Sequence, residues 1–545
     1  MKTKSRLVAL LAVVMMCMSI FAPLTTASAD LISPVEEFTI DWYVDLSWWG
    51  WNGLGFGQDM TSQILKEKTG VTINFITPAT DGGEQLATML ASGDLPDVIT
   101  LQGLWDSNSR MLAYQMSQDG YLLALNDLIE KHNPDMKDVI RQDVFDWYAE
   151  SDGKTYMTPN YAYSSQDLKP GEQLVPNRCI TVRKDLWEKL GSPDMSTPEG
   201  FLAACKRAQE ELTYDGKEII GLQLYEGANE ALSIMNQYFA VPFETEDGKY
   251  AYDFDQEGTK ESLAFLNEAF RMGLVTESNF SDTRDMINEK VASGRVFAMI
   301  TAPQDFTGQM GSLYDTDPGA VYIPVLLHNH KGEDPVLSDI RGWGWLMTGI
   351  TSSCERPDLI INLFEYLMSD EGQIDMVFGK EGETFKYNED GTISLTDEYY
   401  QAAANNDTKK YALSAMNLLD NYAFRRKFDS VPTDPKALAT TDTILKAPMA
   451  PYSYDYSASG LKLDPADPRK EEVQQLNVAL SNYRKTAIAE LITAGSEDAF
   501  NAKFDEVKAT FVSMGVDKVI AYNADGYENA KKALGVDNGW PLYQK

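Results

Sequence analysis

Residues 71–101 read VTINFITPATDGGEQLATMLASGDLPDVITL, a strand, a helix and a second strand in the space of thirty-one residues. Val71, Ile73 and Phe75 alternate with polar neighbours, which is the period of a half-buried strand. Leu86, Met89 and Leu90 recur at helical spacing, and Gly93 supplies the stop, before the strand Asp97-Val98-Ile99-Thr100-Leu101. Toward the N-terminus the pattern repeats. Phe38, Ile40 and Trp42 alternate as a strand, a Gly-rich loop follows, and Met60, Ile64 and Leu65 give a helical stripe that Gly70 ends. Strand, helix, strand, helix, strand at this spacing predicts a parallel sheet covered by helices, so the class is α/β.

Beyond a turn at Asp152-Gly153-Lys154-Thr155 the alternation resumes. Cys179-Ile180-Thr181-Val182 reads as a strand that leads into a short helix around Leu186 and Trp187, and Thr197-Pro198 caps and starts another helix. Leu263, Leu266 and Phe270 line one helical face that stops at Gly273. Pro357 starts a helix whose stripe is Ile360, Leu363, Phe364 and Leu367, with Gly372 as its expected end. Val473 to Met514 is helical again. Without repeats, low-complexity tracts or a long Pro/Ser linker, the halves of the chain are expected to be interwoven.

The first residues bear on compartment. Lys2, Lys4 and Arg6 precede a mostly apolar run from Leu7 to Phe21, and Ala27-Ser28-Ala29 is the small-x-small pattern of signal peptidase cleavage. The run is short for a bilayer span, so residues 1–29 are expected to be removed and the protein exported. Cys17 lies inside the apolar run behind Met16, a context that predicts no lipid anchor. Cleavage removes three cations and no acid, taking the formal charge from −35 to −38. Such a surface repels nucleic acid and anionic membranes. Cys179, Cys205 and Cys354 remain, allowing at most one disulfide, so the fold must rest on its core.

Several stretches match, in order, the family-1 extracellular solute-binding proteins. They are Lys66-Glu67-Lys68-Thr69-Gly70-Val71, Leu90-Ala91-Ser92-Gly93-Asp94-Leu95-Pro96-Asp97-Val98-Ile99, Asp152-Gly153-Lys154-Thr155-Tyr156 and Val182-Arg183-Lys184-Asp185-Leu186-Trp187-Glu188-Lys189-Leu190-Gly191. Phe364-Glu365-Tyr366-Leu367-Met368-Ser369-Asp370-Glu371-Gly372, Gly379-Lys380-Glu381-Gly382 and Ala521-Tyr522-Asn523 complete the series. The chain thus resembles the oligosaccharide receptors of ABC importers across nearly its whole expected mature length. The resemblance implies a two-lobed type 2 periplasmic-binding-protein fold, each lobe a mixed sheet flanked by helices, with ligand between the lobes. By analogy the crossing strands fall near Tyr156 to Pro159, Val296 to Thr301 and Gly342 to Met347. Residues 30–159 and 302–341 would form lobe one, and residues 160–301 and 342–545 lobe two. Larger relatives carry a calcium loop where this chain has only Thr213-Tyr214-Asp215-Gly216-Lys217, so no calcium is carried over.

There is no P-loop, dinucleotide fingerprint, HExxH or GxSxG, and the three histidines offer little to a nucleophilic triad. His328 and His330 lack a third ligand in view. Asp253, Asp255, Glu257 and Gly258 imitate an EF-hand start, but its twelfth position is Ala264. Neither metal nor cofactor is expected, and acidic pairs in so acidic a chain carry no weight for glycosidase chemistry.

Aromatic clustering is the stronger signal. Half of the ten tryptophans occupy two places: Trp48, Trp49 and Trp51 in the loop after the first strand, and Trp343 and Trp345 beside a crossing. A pyranose has an apolar C–H face and a polar rim, so it stacks on an indole while nearby polar groups bond its hydroxyls. Asn160, Asp339 and Arg341 are the polar candidates beside the crossings. The alternative for each ring is burial in the core; at least one from each cluster is expected at the ligand. The expectation is a monomeric, extracellular, non-enzymatic receptor that delivers an oligosaccharide to the permease subunits of an ABC importer. A secreted polysaccharide-processing enzyme, or the same fold serving a peptide, another metabolite or a sensor, is the alternative.

Overall fold

A computed structural model describes residues 36–80, 83–103, 107–160, 162–163, 175–339, 342–405, 407–420 and 427–543. The expected signal segment and Arg341 lie outside the described residues. The strands that matter are β1 (Phe38–Val44), β2 (Val71–Ile76), β3 (Val98–Gln102), β4 (Met157–Pro159), β5 (Ala162–Tyr163), β6 (Cys179–Arg183), β7 (Ile220–Leu224), β8 (Val296–Thr301), β9 (Tyr322–Pro324), β10 (Gly342–Trp343) and β11 (Leu346–Ile350).

The first sheet has the order β2-β1-β3-β11-β4. β1 runs parallel to β2 and β3, and β11 inserts antiparallel between β3 and β4. The helices that the periodicity implied are present. Met60–Thr69 ends at Gly70 and Glu84–Ser92 at Gly93, both glycines at φ 74°, the left-handed cap that a side chain would strain. Pro357–Met368 lays Ile360, Leu363, Phe364 and Leu367 on this sheet, with Phe364 5.9 Å from the buried ring of Trp42. The indole of Trp42 donates to Thr100 Oγ1 at 2.8 Å, and Thr100 in turn bonds Thr348, so the polar atoms of this core are paired.

The second sheet has the order β9-β6-β8-β7, with β8 parallel to β7 and antiparallel to β6. Its core takes in helices Pro198–Glu211 and Glu257–Arg271 and the C-terminal helices Lys470–Ile492, Glu497–Ser513 and Val516–Leu534. Thr197 caps the first of these, accepting from Gly200 N with Pro198 at the first helical position, as its sequence implied.

Three expectations are corrected. β8 is no crossing: all six of its residues are buried inside the second sheet, the signature of a central strand. The lobe division also differs. Residues 322–324 pair with β6 in the second sheet, whereas Leu346–Ile350 and the helix after them belong to the first. Residues 302–338 therefore go with lobe two and residues 346–420 with lobe one. Gly372 does not end the 357–368 helix; Ser369 ends it and caps the next helix, Asp370–Val377, accepting from Gly372 N. Gly372 is glycine because a Cβ there would collide with the carbonyl of Tyr366.

The crossings that the topology shows follow β4 and precede β11. They pair as a short antiparallel ribbon, β5 against β10, with a further bridge between Pro176 and Asp339. Asp429 still bridges Ile393, while helix Pro435–Thr440 is tied to the second lobe by Lys436 to Asp315 at 2.6 Å, which makes a third passage between them. Cys179, Cys205 and Cys354 are buried and free, so no disulfide joins them.

Candidate functional site

In open α/β sheets the loops at the carboxyl ends of parallel strands are where ligands meet the backbone. Both sheets present such an edge beside the ribbon, and the two edges are built differently.

On lobe one the edge comprises the loop after β1, Gly103 after β3, Asn160 after β4 and the approach to β11. Trp48 is 57 % exposed and stacks on Trp345, ring centroids 6.2 Å apart and planes 13° from parallel. One ring from each sequence cluster is thus brought together. Trp345 is held by its backbone: Gly103 N donates to its carbonyl at 2.7 Å, and its own N–H donates to Asn160 Oδ1. Asn160 is buried and bonded through both its amide oxygen and its amide nitrogen. Its Oδ1 also accepts from Leu346 N at 2.9 Å and its amide donates to Asn417 O at 3.1 Å. Gly344, at φ 82°, leaves no room for a Cβ beside the Asn160 carbonyl, so this corner admits one backbone path.

The other candidates are structural in position. Trp49 is only 6 % exposed, packs its edge on Phe75 at 4.8 Å and donates to Asn417 Oδ1 at 3.1 Å. Trp51, half-buried, stacks on the same Phe75, ring centroids 5.7 Å apart, and donates to Asp59 Oδ2 at 2.7 Å. Asp59 also caps the following helix through Ser62 N, so the loop is fastened to the helix it precedes. Trp343 is 4 % exposed. Its ring lies 3.8 Å from Trp147, 15° from parallel, its Nε1 donates to Ser457 O at 2.8 Å, and the Tyr148 hydroxyl donates to its carbonyl. Asp339 is fully buried in the bridge to Pro176, its N–H donating to Tyr454 O at 3.2 Å.

The lobe-two edge was not anticipated. Tyr225 and Glu226 follow β7, Gln304 and Asp305 follow β8, Asn177 and Arg178 precede β6, and Arg284 opens helix Arg284–Ala292. The Arg284 guanidinium bonds Glu226 through two donors at 2.6 and 3.2 Å, donates to the Tyr225 hydroxyl at 2.7 Å and lies 3.3 Å from Asp305 Oδ2. The Tyr225 hydroxyl donates to Asp305. Burial raises the Tyr225 pKa and Asp305 adds to it, so the hydroxyl stays protonated. Burial works against the Arg284 charge, but the Glu226 bond and the Asp305 charge outweigh it and push its pKa up. Arg178 pairs with Glu230 at 2.7 Å. The buried Lys446 ammonium bonds Asp442 at 2.8 Å and Gln304 at 3.0 Å, and Gln304 donates to Asn177 at 2.7 Å. The only hint in the sequence was position: Tyr225-Glu226-Gly227 and Pro303-Gln304-Asp305 are strand-to-helix turns.

The lobes meet at a second place. Lys470 of lobe two bonds Glu150 of lobe one at 2.8 Å, its ammonium 3.6 Å from the Tyr114 ring, and burial holds its pKa below the usual lysine range. The cavity beside it, about 110 Å³, is well under the roughly 300 Å³ at which small-molecule sites begin.

Acidic groups that resembled metal ligands are otherwise engaged. Asp253 is bonded by Arg484 at 2.6 Å and Asp255 lies 3.2 Å from Lys508, while Thr213–Glu218 is a tight hairpin turning at Asp215-Gly216. Among the described residues no three His, Cys, Asp or Glu side chains converge as a metal site, and no helix is long and apolar enough to cross a membrane.

Two lobes, each an α/β sheet with its loops gathered at a shared hinge, define the solute-binding class of fold. The chain belongs to the family described as bacterial extracellular solute-binding protein, whose model matches residues 55–374. That is a family of binding proteins rather than enzymes. The chain is 24 % identical over 231 residues to the fructooligosaccharide ABC transporter substrate-binding protein FusA of Streptococcus pneumoniae serotype 4, the match spanning 40 % of this chain and 41 % of that protein. Among solved structures it resembles the alginate-binding protein AlgQ2 (TM-score 0.68, 19 % identity, 90 % of this chain and 98 % of that one). It also resembles a FusA EF-hand mutant in complex with fructo-nystose (TM-score 0.68, 16 % identity, 91 % and 100 %). The N-glycan transport solute-binding protein NgtS of Streptococcus pneumoniae is more distant (TM-score 0.55, 13 % identity, 91 % and 99 %).

Proposed function

We propose that this protein is the extracellular receptor of an ABC importer and that it captures an oligosaccharide between its lobes. The observation that carries the reading is the stacked pair of Trp48 and Trp345, an exposed aromatic shelf at the carboxyl ends of the lobe-one strands. Sugar rings stack on such a shelf through their C–H faces. The lobe-two edge supplies the complement: the Tyr225 hydroxyl, the Glu226 and Asp305 carboxylates and the Gln304 amide bond hydroxyl groups. A ligand that touches both edges favours the closed form by its contacts with each, and the closed form is what the permease would recognise. The relatives whose names specify oligosaccharides support this ligand class. An enzyme is disfavoured because Glu226 and Asp305 are both engaged by Arg284 and neither is placed as a free acid. The ligand-facing residues are accordingly Trp48 and Trp345 on lobe one and Tyr225, Glu226, Gln304 and Asp305 on lobe two, with Asn160 holding the Trp345 backbone and Trp49, Trp343 and Asp339 buried behind the edges.

A thermal-shift and calorimetric screen of neutral and acidic oligosaccharides tests the reading, because a ligand bound only by the native state must raise Tm. At least one saccharide should bind without change in its own length by chromatography. Release of shortened products would favour the enzyme; binding of peptides alone would favour the alternative receptor.

A further inference from the structure

We infer that the saccharide taken at this site is uncharged, and that Glu226 and Asp305 set this specificity by holding Arg284 between two carboxylates. The inference rests on the saccharide reading and narrows it.

An acidic sugar, such as a uronate, needs a cation whose charge is not already matched. Arg284 is bound in a fork by Glu226 and flanked by Asp305, so one positive charge sits against two negative ones. Its face is covered as well, since the guanidinium carbon lies 5.2 Å from the Tyr225 ring centre and 5.6 Å from that of Phe306. Arg178 is matched by Glu230 and Lys446 by Asp442. Across on lobe one, the loop from Asp45 to Asp59 has no cation, and its two aspartates are buried and bonded by Tyr43, Trp51 and Ser62, while Arg110 lines the small cavity beside Lys470. Among the described residues the lobe-two edge is therefore rich in acceptors and net negative, and the lobe-one edge adds no cation to it. Such a surface accepts hydrogen bonds from sugar hydroxyls, which are donors, and repels a carboxylate or sulfate. The formal charge of −35 adds a long-range field of the same sign.

The test is calorimetry of the full chain with two matched sets of trisaccharides, one neutral and one of uronates. The neutral set should contain a binder, and every uronate should bind about 100-fold more weakly or not at all. A double variant, E226Q with D305N, releases Arg284 while preserving shape, and uronate affinity should rise at least about tenfold as neutral affinity falls. If that variant does not fold, the wild-type comparison still decides. A uronate that binds the wild-type protein as well as any neutral sugar overturns the inference while leaving the saccharide reading intact. Binding by neither set overturns both.

Discussion

The two strand-end edges of this molecule are built from different chemistry. Lobe one offers aromatic area: an exposed Trp48 on a half-buried Trp345, propped by Trp49, Trp51 and Phe75 and fastened through Asn160 and Asn417. Lobe two offers a charged lattice in which each described cation is already matched, Arg284 to Glu226 and Asp305, Arg178 to Glu230. Stacking is tolerant of ring identity, whereas a fixed lattice of acceptors is particular about where hydroxyls fall. Broad retention would then come from lobe one and selection among sugars from lobe two.

The largest expected effects separate support from contact. Trp343→Ala removes a ring packed on Trp147 and bonded to Ser457, and should lower stability by about 3–5 kcal/mol with or without ligand. Trp48→Ala should leave Tm nearly unchanged in the free protein, since more than half of the ring is solvated. Its cost should appear in affinity, about 1–3 kcal/mol by calorimetry, as for other stacking platforms. Equal stability losses in the two variants, with no affinity change beyond them, would remove the shelf from the site.

Acid should sharpen the contrast between lobes. In lobe two, burial of Asp185 opposes its charge, but the bond from the buried Arg183 holds its pKa below the ordinary carboxylate value. Its stabilisation is present above the ordinary value of about 4 and is lost as pH falls through the depressed one. In lobe one, burial raises the pKa of Glu365, Asp370 and Asp375, so protonation of these three favours the folded form as pH drops toward the ordinary value; only the first turn runs the other way, where the bond from Arg356 lowers the pKa of Asp358. Asp442 of lobe two behaves as those do, tempered by Lys446. Hydrogen exchange near pH 3 should therefore open the β6 region before the 357–377 helices, and Asp185→Asn should destabilise at neutral pH and flatten this acid loss. Uniform opening of both lobes would contradict it.

The smallest effect belongs to the selective edge. Gln304→Ala removes one donor and one acceptor from the Asn177–Lys446 chain and should change affinity by about 1 kcal/mol, differing in size between sugars. An identical change for every bound sugar would assign Gln304 to the scaffold.

Much of the fold was legible because its elements announce themselves locally. Gly70, Gly93 and the Thr197-Pro198 start are written in single residues, and the stripe of the 357–368 helix is written in its own period. What the period of a strand cannot disclose is its partner. Met347 pairs with Leu101, 246 positions away, and Ile323 with Val182, so the swap of residues 302–338 and 346–420 between lobes was invisible. The aromatic half of the site could be seen as clusters, yet which rings are buried depended on Phe75 and Trp147. Tyr225, Glu226, Arg284 and Asp305 come from three separate segments, and in a chain with 82 acidic residues a lone glutamate or aspartate carries no signal. Only the tertiary path of β7 and β8 brings them to one edge.

The central claim is that one saccharide engages both edges at once. Hydrogen exchange with a bound oligosaccharide found by the screen tests it most directly. Protection should rise together in peptides covering residues 45–59 and 343–348 and in those covering 222–230 and 302–306, with little change in the Glu497–Ser513 helix. Protection confined to one lobe, or centred instead on the small cavity beside Lys470, would contradict it.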